Sequence, residues 1–280
     1  MPFASADDFR HFAESVKHDR RFIYEDRVNS FLEAVAATSL SRLVELPKDA
    51  IFWRAALGYQ LRVFDKGEPE EEERAVPWFE DRMKPFPNFV GDGRANPRGV
   101  AYLYLASTAT TAGSEVRPWL GATLSISQFR LNRILRLVDC TRDKKRWFKS
   151  FHVDEGFAPW LPEDFEGVVW GDIGYAMSTP HSIEEQGLNY VPTQIIAERL
   201  RHAEVDGIVY RSLLAKDGYN IVLFDLKHAD PINFQLYEAK SVAYTIEPTD
   251  NPFFMKQPTV TAGSDEQVSA AAETDQQPEQ

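Results

Sequence analysis

Residues 100–116 read VAYLYLASTATTAGSEV, and the local architecture of the chain follows from this stretch. The tyrosine-rich apolar run at 100–106 predicts a buried strand. Thr110 or Thr111 is suited to cap the short helix that comes next. Because that helix contains Glu115, the sequence predicts a carboxylate on a helix that immediately follows a strand.

A second segment with polar side chains at the end of a strand lies further along the chain. Residues 206–212 read DGIVYRS, so residues 207–210 predict a buried strand with Ser212 emerging at its end. A turn is predicted at 216–218 and another buried strand at 221–224. The serine is therefore expected where one strand of a sheet stops.

Arginines occupy two other segments. Residues 51–56 read IFWRAA and predict a buried strand that carries Arg54 within an apolar run. A buried charge of this kind needs a partner or a ligand. Residues 93–99 read GRANPRG, which is typical of a loop, and this loop presents Arg94. The alternating pattern at 122–129 predicts a further strand.

Helical periodicity dominates the first part of the chain. Two apolar stripes within residues 6–48 predict two amphipathic helices packed on the main domain, and a further capped helix is predicted at 192–200. The stripes consist of Phe9, Phe12, Val16, Val28, Phe31, Leu32 and Val35.

The domain organisation follows from where the helix and strand patterns occur along the chain and where they are missing. We expect a helical N-terminal extension at 1–48, one catalytic domain at 49–255 and a disordered tail at 256–280, which is rich in small and polar residues. Within the domain, the acidic and proline-containing segment 66–87 predicts a polar loop. The weak pattern at 141–190 predicts an insertion.

Composition excludes several classes of protein. The chain has 280 residues, is 43% hydrophobic and has a formal net charge of −12, so a globular protein without general nucleic-acid binding is expected. The basic residues at 142–149 are interpreted as a solvated helical face. The chain contains one cysteine, Cys140, in an apolar setting, which excludes an internal disulfide and indicates a buried, inert thiol.

No metal site or membrane segment is predicted. The six histidines lack the spacing of metal ligands, no stretch has the length and apolarity of a membrane span, and the N-terminus lacks the features of a secretion signal. We therefore expect a cytoplasmic protein with no metal and no membrane contact; the oligomeric state stays open.

The polar residues suggest nucleotide chemistry. Two arginines, Arg54 and Arg94, can bind a diphosphate through bidentate hydrogen bonds. A carboxylate such as Glu115, with a hydroxyl beside it, can stabilise the positive charge that develops when a ribosyl bond breaks. Taken alone, Glu115 is also explained as a surface carboxylate near a helix start, where it complements the helix dipole.

Four segments, in this order, resemble the RES family, which is named for its arginine, glutamate and serine. Members are toxin-type enzymes that destroy NAD and share a core similar to ADP-ribosyltransferase toxins. The resemblance implies an α+β fold with an ADP-ribosyltransferase-like mixed β core and flanking helices, preceded here by the N-terminal helical extension. The matching segments are Trp53 and Arg54, the loop 93–99, Tyr104 with the helix 111–116, and 206–212 with the following residues 220–224.

The resemblance also implies roles for individual side chains. Arg54, counted among the catalytic residues, and Arg94 are assigned to the diphosphate and the adjoining ribose. Tyr104 is assigned to the nicotinamide end, and Asn220 is expected to bind substrate. The catalytic residues Glu115 and Ser212 are assigned respectively to the ribose that undergoes scission and to hydrogen bonding in the same pocket.

The implied reaction is cleavage of the nicotinamide–ribose bond of NAD+ by a glycohydrolase or a phosphorylase. Nicotinamide is already cationic in NAD+, so the enzyme stabilises an oxocarbenium-like ribose and positions a nucleophile. No metal or redox cofactor is needed; water or inorganic phosphate can attack. Family toxins are commonly restrained by a cognate antitoxin, so a protein partner is expected and the chain is expected to act as the toxin of such a pair.

Three alternatives remain open at this point. The same pocket could serve an ADP-ribosyltransferase with a macromolecular acceptor, with 157–161 as an acceptor surface. The chain could be a non-catalytic module that binds NAD or a partner protein, or an unrelated α+β domain that matches by chance. It departs from the family pattern at Ala95, where many members have an aromatic residue, and in the long interval between Glu115 and Ser212.

Overall fold

The fold is described from a computed structural model, which covers residues 2–67, 71–86, 89–143, 161–244, 246 and 247. Met1–Val242 form one compact unit, and Ala243–Gln280 form a second whose described residues contain no helix or strand. The predicted tail at 256–280, the basic residues from Lys144 to Lys149 and the proposed acceptor surface at 157–160 lie outside the described residues.

Helices and strands alternate irregularly along the described chain. The α-helices are α1 (Asp8–His18), α2 (Asp26–Ser39), α3 (Glu80–Met83), α4 (Ala109–Glu115), α5 (Phe165–Ser178), α6 (Ile183–Asn189) and α7 (Val191–His202). The strands are β1 (Leu43–Leu46), β2 (Ile51–Leu57), β3 (Gln60–Phe64), β4 (Glu72–Val76), β5 (Leu103–Ala106), β6 (Thr123–Leu131), β7 (Leu135–Asp139), β8 (Gly207–Arg211), β9 (Tyr219–Leu223), β10 (Ala229–Pro231) and β11 (Gln235–Glu238).

Nine of these strands form one mixed sheet. Its order is β1-β7-β8-β9-β5-β2-β6-β10, and β11 also pairs with β6. Strands β7 and β8 are parallel, whereas the other described pairs in this sheet are antiparallel. Strands separated by long stretches of sequence thus become neighbours. The mixed sheet with flanking helices confirms the predicted α+β fold class.

The sheet register brings the ends of three strands together. Ala106 of β5 is paired with Trp53 of β2 on one side and with Asn220 of β9 on the other. Asn220 is in turn paired with Tyr210 of β8. Helix α4 follows β5, and Ser212 follows β8, so the segments singled out in the sequence meet at this edge of the sheet.

Alternating side chains of the central strands supply two separate cores. Ile208 and Tyr210 of β8 lie in the cluster on the helical face, whereas Val209 lies in the cluster on the opposite face. Helices α1, α2, α5 and α7 contribute to the helical face. Each large apolar side chain buried there contributes about 1.5–3 kcal/mol relative to exposure.

The predicted N-terminal helices are confirmed, with one correction. Phe12, Val16 and Phe31 are buried in the same cluster as the strand residues of the helical face, so both helices pack on the main domain as expected. Residues 43–46, however, form strand β1 rather than helix. They pair with β7, where Leu43 is opposite Val138, and the alternating side chains of the extended segment reach both cores: Leu43 packs against one cluster and Val44 and Leu46 against the other.

The prediction of a polar loop at 66–87 is wrong for part of that segment. Residues 72–76 form β4, which pairs with β3 in an antiparallel hairpin, and α3 follows. The hairpin side chains are mostly exposed on both faces, and β4 reads EERAV, so few apolar residues mark this strand in the sequence.

The segment 141–190, interpreted as an insertion, contributes to the main core where the structure describes it. Helix α5 lies in the main core, and Val169, Trp170 and Ile173 are fully buried. A Cβ added at Gly174 would lie 2.3 Å from the carbonyl oxygen of Cys140. Glycine therefore permits the close contact between this helix and the end of β7.

Candidate active site

Glu115 is the last residue of α4, close to the edge where β5 and β8 end and β9 begins. Thr108 caps this helix, because its Oγ1 accepts a hydrogen bond of 3.0 Å from the backbone N–H of Thr111. The predicted cap at Thr110 or Thr111 is wrong because the helix begins at Ala109, earlier than the pattern indicated.

The position of Glu115 also overturns the idea that its charge complements a helix start. A carboxylate at the C-terminal end of a helix meets the negative end of the dipole, which disfavours it. Hydrogen bonds from side chains of other segments compensate for this unfavourable position of the carboxylate. Ser212 Oγ donates to Glu115 Oε1 at 2.8 Å, and Asn220 Nδ2 donates to the same oxygen at 2.7 Å.

Arg94 completes this arrangement from the opposite side. Its Nη1 donates to Glu115 Oε2 at 3.3 Å, and its guanidinium lies 5.6 Å from the centroid of the Tyr210 ring. Burial acts to lower the pKa of Arg94. The interactions with Tyr210 and Glu115 raise this pKa by a larger amount, so the net shift is upward. The two side chains form a partly buried ion pair in which both oxygens of the carboxylate accept hydrogen bonds.

Ser212 contributes to the site by holding the carboxylate. Its hydroxyl donates to Glu115 and accepts from the backbone N–H groups of Leu214 at 3.2 Å and Ala215 at 3.1 Å. The single proton of the hydroxyl is therefore used, and its lone pairs face N–H donors. This geometry suits a residue that orients Glu115 and does not suit a nucleophile.

Tyr104 holds the loop that carries Arg94. Its hydroxyl donates to Asn96 Oδ1 at 2.7 Å and accepts from the backbone N–H of Ala95 at 3.0 Å. Burial raises the pKa of Tyr104 well above its usual range, so the phenol keeps its proton. A Cβ added at Gly93 would lie 2.3 Å from Asn96 Oδ1, which explains the glycine at this position.

Arg54 lies on the neighbouring strand β2. Its Nη1 donates to the backbone carbonyl of Tyr104 at 2.9 Å, which leaves its other N–H groups without a partner among the contacts of the described residues. Burial lowers the pKa of Arg54 and Tyr104 opposes that shift, yet a guanidinium stays protonated in proteins. Arg54 therefore places a partly buried positive charge at the site.

A cavity of about 470 Å³ joins these residues. Five of the six predicted site residues line it, namely Arg54, Arg94, Tyr104, Glu115 and Asn220. Ser212 is not among the lining residues and contacts Glu115 from behind. Residues that sequence reasoning did not single out as site residues also line the cavity: Trp53, Asp92, Arg117, Gln186, Tyr190 and Tyr210.

Two of these additional residues had a visible signal in the sequence. Trp53 precedes Arg54 in the apolar run, and Tyr210 lies two positions before Ser212. Gln186 and Tyr190 come from α6 and the start of α7, within or next to the segment interpreted as an insertion, so nothing in the sequence connected them with the site.

Other expectations about chemistry can be compared with the described residues. Cys140 is buried, and burial raises its pKa to about 12, in agreement with an inert thiol. Among the described residues, no group of three or more His, Cys, Asp or Glu side chains is arranged to hold a metal ion. None of the described helices combines the length and the apolarity required to cross a bilayer.

Comparison of the sequence with known protein families identifies the family of the chain. The sequence profile of the RES domain matches residues 72–246, which is more than half of the chain. The chain belongs to the RES domain family. The RES match includes Arg94, Glu115 and Ser212 but begins after Arg54, whose place in the site follows from its position on the cavity wall.

A solved structure and the curated proteins complete the comparison. The RES chain is similar to a chain in the crystal structure of the M. tuberculosis MbcT-MbcA toxin-antitoxin complex, with 12% sequence identity and a TM-score of 0.34. The similarity covers 73% of this chain and 91% of that one. No curated protein matches the sequence.

Proposed function

We propose that this RES protein consumes NAD+ by breaking the bond between nicotinamide and ribose. The observation that carries the proposal is the Glu115 carboxylate, held at the cavity wall by Arg94, Ser212 and Asn220. Such a fixed negative charge can stabilise a developing oxocarbenium ion without first reorganising. Membership of the RES family supports the same reaction.

In the proposed reaction, the bond between C1′ of the ribose and the ring nitrogen of nicotinamide breaks. The bonding electron pair stays on that nitrogen, so nicotinamide leaves as a neutral molecule and no general acid is needed. Glu115 lies beside the resulting positive charge on the ribose. An oxygen of water or inorganic phosphate then forms the new bond to C1′, and with water one proton is released.

The two arginines are proposed to hold the anionic part of the substrate. Among the described residues, Arg54 makes one hydrogen bond, to the carbonyl of Tyr104, and its remaining N–H donors on the cavity wall suit binding to the diphosphate. Arg94 forms an ion pair with Glu115. The positive group proposed to bind the diphosphate is therefore in direct contact with the negative group proposed to stabilise the reacting ribose. Tyr104 and Asn220 line the same cavity and are proposed to border the nicotinamide ribose.

The biological setting is proposed on the family resemblance. We infer a toxin of a toxin-antitoxin pair that acts in the cytoplasm and is restrained by a cognate antitoxin protein. NAD+ is the substrate, with no metal or redox cofactor, and inorganic phosphate is a possible second substrate. Co-purification of a bound inhibitory protein from the native host, with loss of activity in the complex, is the expected result.

The test is nicotinamide release from NAD+ by the purified full-length chain, with and without inorganic phosphate. We expect release by the wild type and at least a hundredfold slower release by Glu115→Gln. Phosphate dependence identifies phosphorolysis, whereas release without phosphate identifies hydrolysis. Intact NAD+ after long incubation would contradict the enzyme, and labelled ADP-ribose attached to a macromolecule would identify a transferase instead.

A further inference from the structure

The loop that carries Arg94 is attached to helix α7 by two side chains outside the set considered so far. Thr193 and Gln194 lie in the first turn of this helix and are only 1% and 8% exposed, respectively. Polar side chains buried this deeply need hydrogen-bond partners. Both find them on the backbone of the loop at residues 93–96.

Both side chains direct hydrogen-bond donors at carbonyls of the loop. Thr193 Oγ1 lies against two backbone carbonyls, that of Arg94 in the loop and that of Tyr190 at 3.0 Å, and its single proton is donated to the closer one, Arg94. Gln194 Nε2 donates to the carbonyl of Gly93 at 2.9 Å and to that of Asn96 at 3.0 Å. The amide has two protons and both are used, so three loop carbonyls, those of Gly93, Arg94 and Asn96, are hydrogen-bonded to one helix turn.

These bonds determine where the arginine points. The opposite side of the loop is held by Tyr104, whose hydroxyl contacts Ala95 and Asn96. The loop is therefore clamped between β5 and α7, and the Arg94 side chain projects from the clamped section toward Glu115. A shift of the carbonyl of Arg94 would move its guanidinium relative to the carboxylate.

We propose that Thr193 and Gln194 are positioning residues of the active site, which act through the backbone of Arg94 and set the geometry of the Arg94–Glu115 pair. The consequence for catalysis rests on the proposed function, whereas the attachment of the loop does not. Removing the Thr193 hydroxyl releases the loop, misplaces the arginine and reduces turnover, while leaving the sheet intact.

The test uses Thr193→Val, which removes the hydroxyl at nearly constant shape, beside Thr193→Ser, which keeps it. Thr179→Val is the matched control, because Thr179 also donates its hydroxyl to a backbone carbonyl, that of Tyr175, at the end of a different helix. Gln194→Met is the second variant and removes both amide donors. Folding of each variant is checked by circular dichroism and thermal unfolding.

Hydrogen exchange gives a readout that does not depend on catalysis. The N–H groups of Gly93 and Ala95 are hydrogen-bonded within the loop, to the carbonyl of Asn96 and the hydroxyl of Tyr104. We expect their protection to fall at least tenfold in Thr193→Val and in Gln194→Met, with amides of β8 and β9 unchanged. Equal protection in wild type and both variants would overturn the proposal, whatever the activity.

Kinetics then tests the link to the site. We expect kcat/KM for NAD+ to fall at least tenfold in Thr193→Val and to be restored in Thr193→Ser. In an Arg94→Ala background, Thr193→Val should cause little further loss, because the group on which it acts is gone. An additive loss, or full activity with an unprotected loop, would contradict the positioning role; an inactive wild type would refute the proposed function while the exchange result still decides the loop attachment.

Discussion

The hydroxyl of Ser212 lies 2.8 Å from Oε1 of Glu115, although 97 positions separate the two residues in the chain. Glu115 ends a helix that follows β5, and Ser212 follows β8, with β9 between those two strands in the sheet. The order of the strands in the sheet therefore brings the two residues into contact. Substitutions that remove a single functional group test the role of each residue.

Replacing Glu115 with glutamine removes the negative charge at nearly constant shape. We expect kcat for nicotinamide release to fall by about 10²–10³-fold, because a neutral amide cannot stabilise the positive charge on the ribose. Steady-state kinetics on NAD+ measures the loss. Glu45→Gln, an exposed glutamate of β1, is the control and should behave as wild type.

Replacing Ser212 with alanine should have a smaller effect. The carboxylate keeps its bonds to Asn220 and Arg94, so we expect kcat to fall by about tenfold, which corresponds to about 1.4 kcal/mol. Ser114→Ala removes a hydroxyl next to Glu115 that bonds the carbonyl of Thr110, and it should leave kcat unchanged. A complete loss of activity in Ser212→Ala would mean that the serine reacts with substrate directly.

The Arg94 loop should not tolerate a side chain at Gly93. In Gly93→Ala the new Cβ would lie 2.3 Å from Asn96 Oδ1 and 2.7 Å from the hydroxyl oxygen of Tyr104. We expect the free energy of unfolding to fall by about 1–3 kcal/mol, as for other overpacked sites, and activity to fall with it.

Gly91 offers a matched control for this glycine. A Cβ added there meets nothing within 4 Å, so Gly91→Ala should retain both stability and activity. Denaturant unfolding and NAD+ kinetics on the two variants provide the comparison. Equal stability of the two variants would show that the loop is not packed as tightly as described.

The core position of α5 predicts a large effect from a distant substitution. Ile173 is fully buried, so Ile173→Ala should reduce the free energy of unfolding by about 2–5 kcal/mol. Ile183, at the start of α6, is 83% exposed, and Ile183→Ala should change the free energy of unfolding by less than about 0.5 kcal/mol. Similar losses in both would contradict the core position of α5.

Asp172 gives the fold a dependence on pH. Burial, and secondarily the charge of Asp7, raise the pKa of Asp172 to about 6 from an ordinary value of 3.8. Because the folded state binds the proton more tightly, this carboxyl favours folding below its unfolded pKa, and that contribution is lost as pH rises through the folded value. Stability should therefore decline between about pH 4 and 6 on account of this group.

Asp172→Asn isolates this contribution. The amide does not ionise, so the variant should lack this part of the decline and be more stable than wild type at pH 8 by about 1 kcal/mol, allowing for solvent screening of a partly exposed group. Thermal unfolding at pH 4 and pH 8 measures the difference. Parallel pH dependence in the two proteins would contradict the assignment.

Local patterns in the sequence were sufficient for the central strands β2, β5, β6, β8 and β9 and for five of the residues that line the cavity. Strands β2 and β8 carry dense apolar runs, β6 alternates apolar and polar residues, and the polar residues beside them stand out. The hairpin of β3 and β4 escaped notice because both of its faces are largely exposed. Helix α5 escaped notice because apolar residues and glycines lie all around it, which hides the period of a helix.

The contacts across long intervals could not be read from the sequence. Thr193 and Gln194 look like ordinary polar positions of an amphipathic helix, since nothing local indicates that a loop about 100 residues earlier lies against them. The role of Tyr104 in holding that loop is hidden for the same reason. Such contacts depend on the strand order, and many strand orders are compatible with the same local patterns.

The place of β8 and β9 in the sheet has a consequence for synthesis on the ribosome. These strands are made late, yet they join β7 to β5 in the middle of the sheet. Before residue 223 has emerged, β1 and β7 cannot connect with β5, β2 and β6, and the carboxylate of Glu115 lacks two of its three donors. The nascent chain therefore lacks a completed site until β9 has been translated.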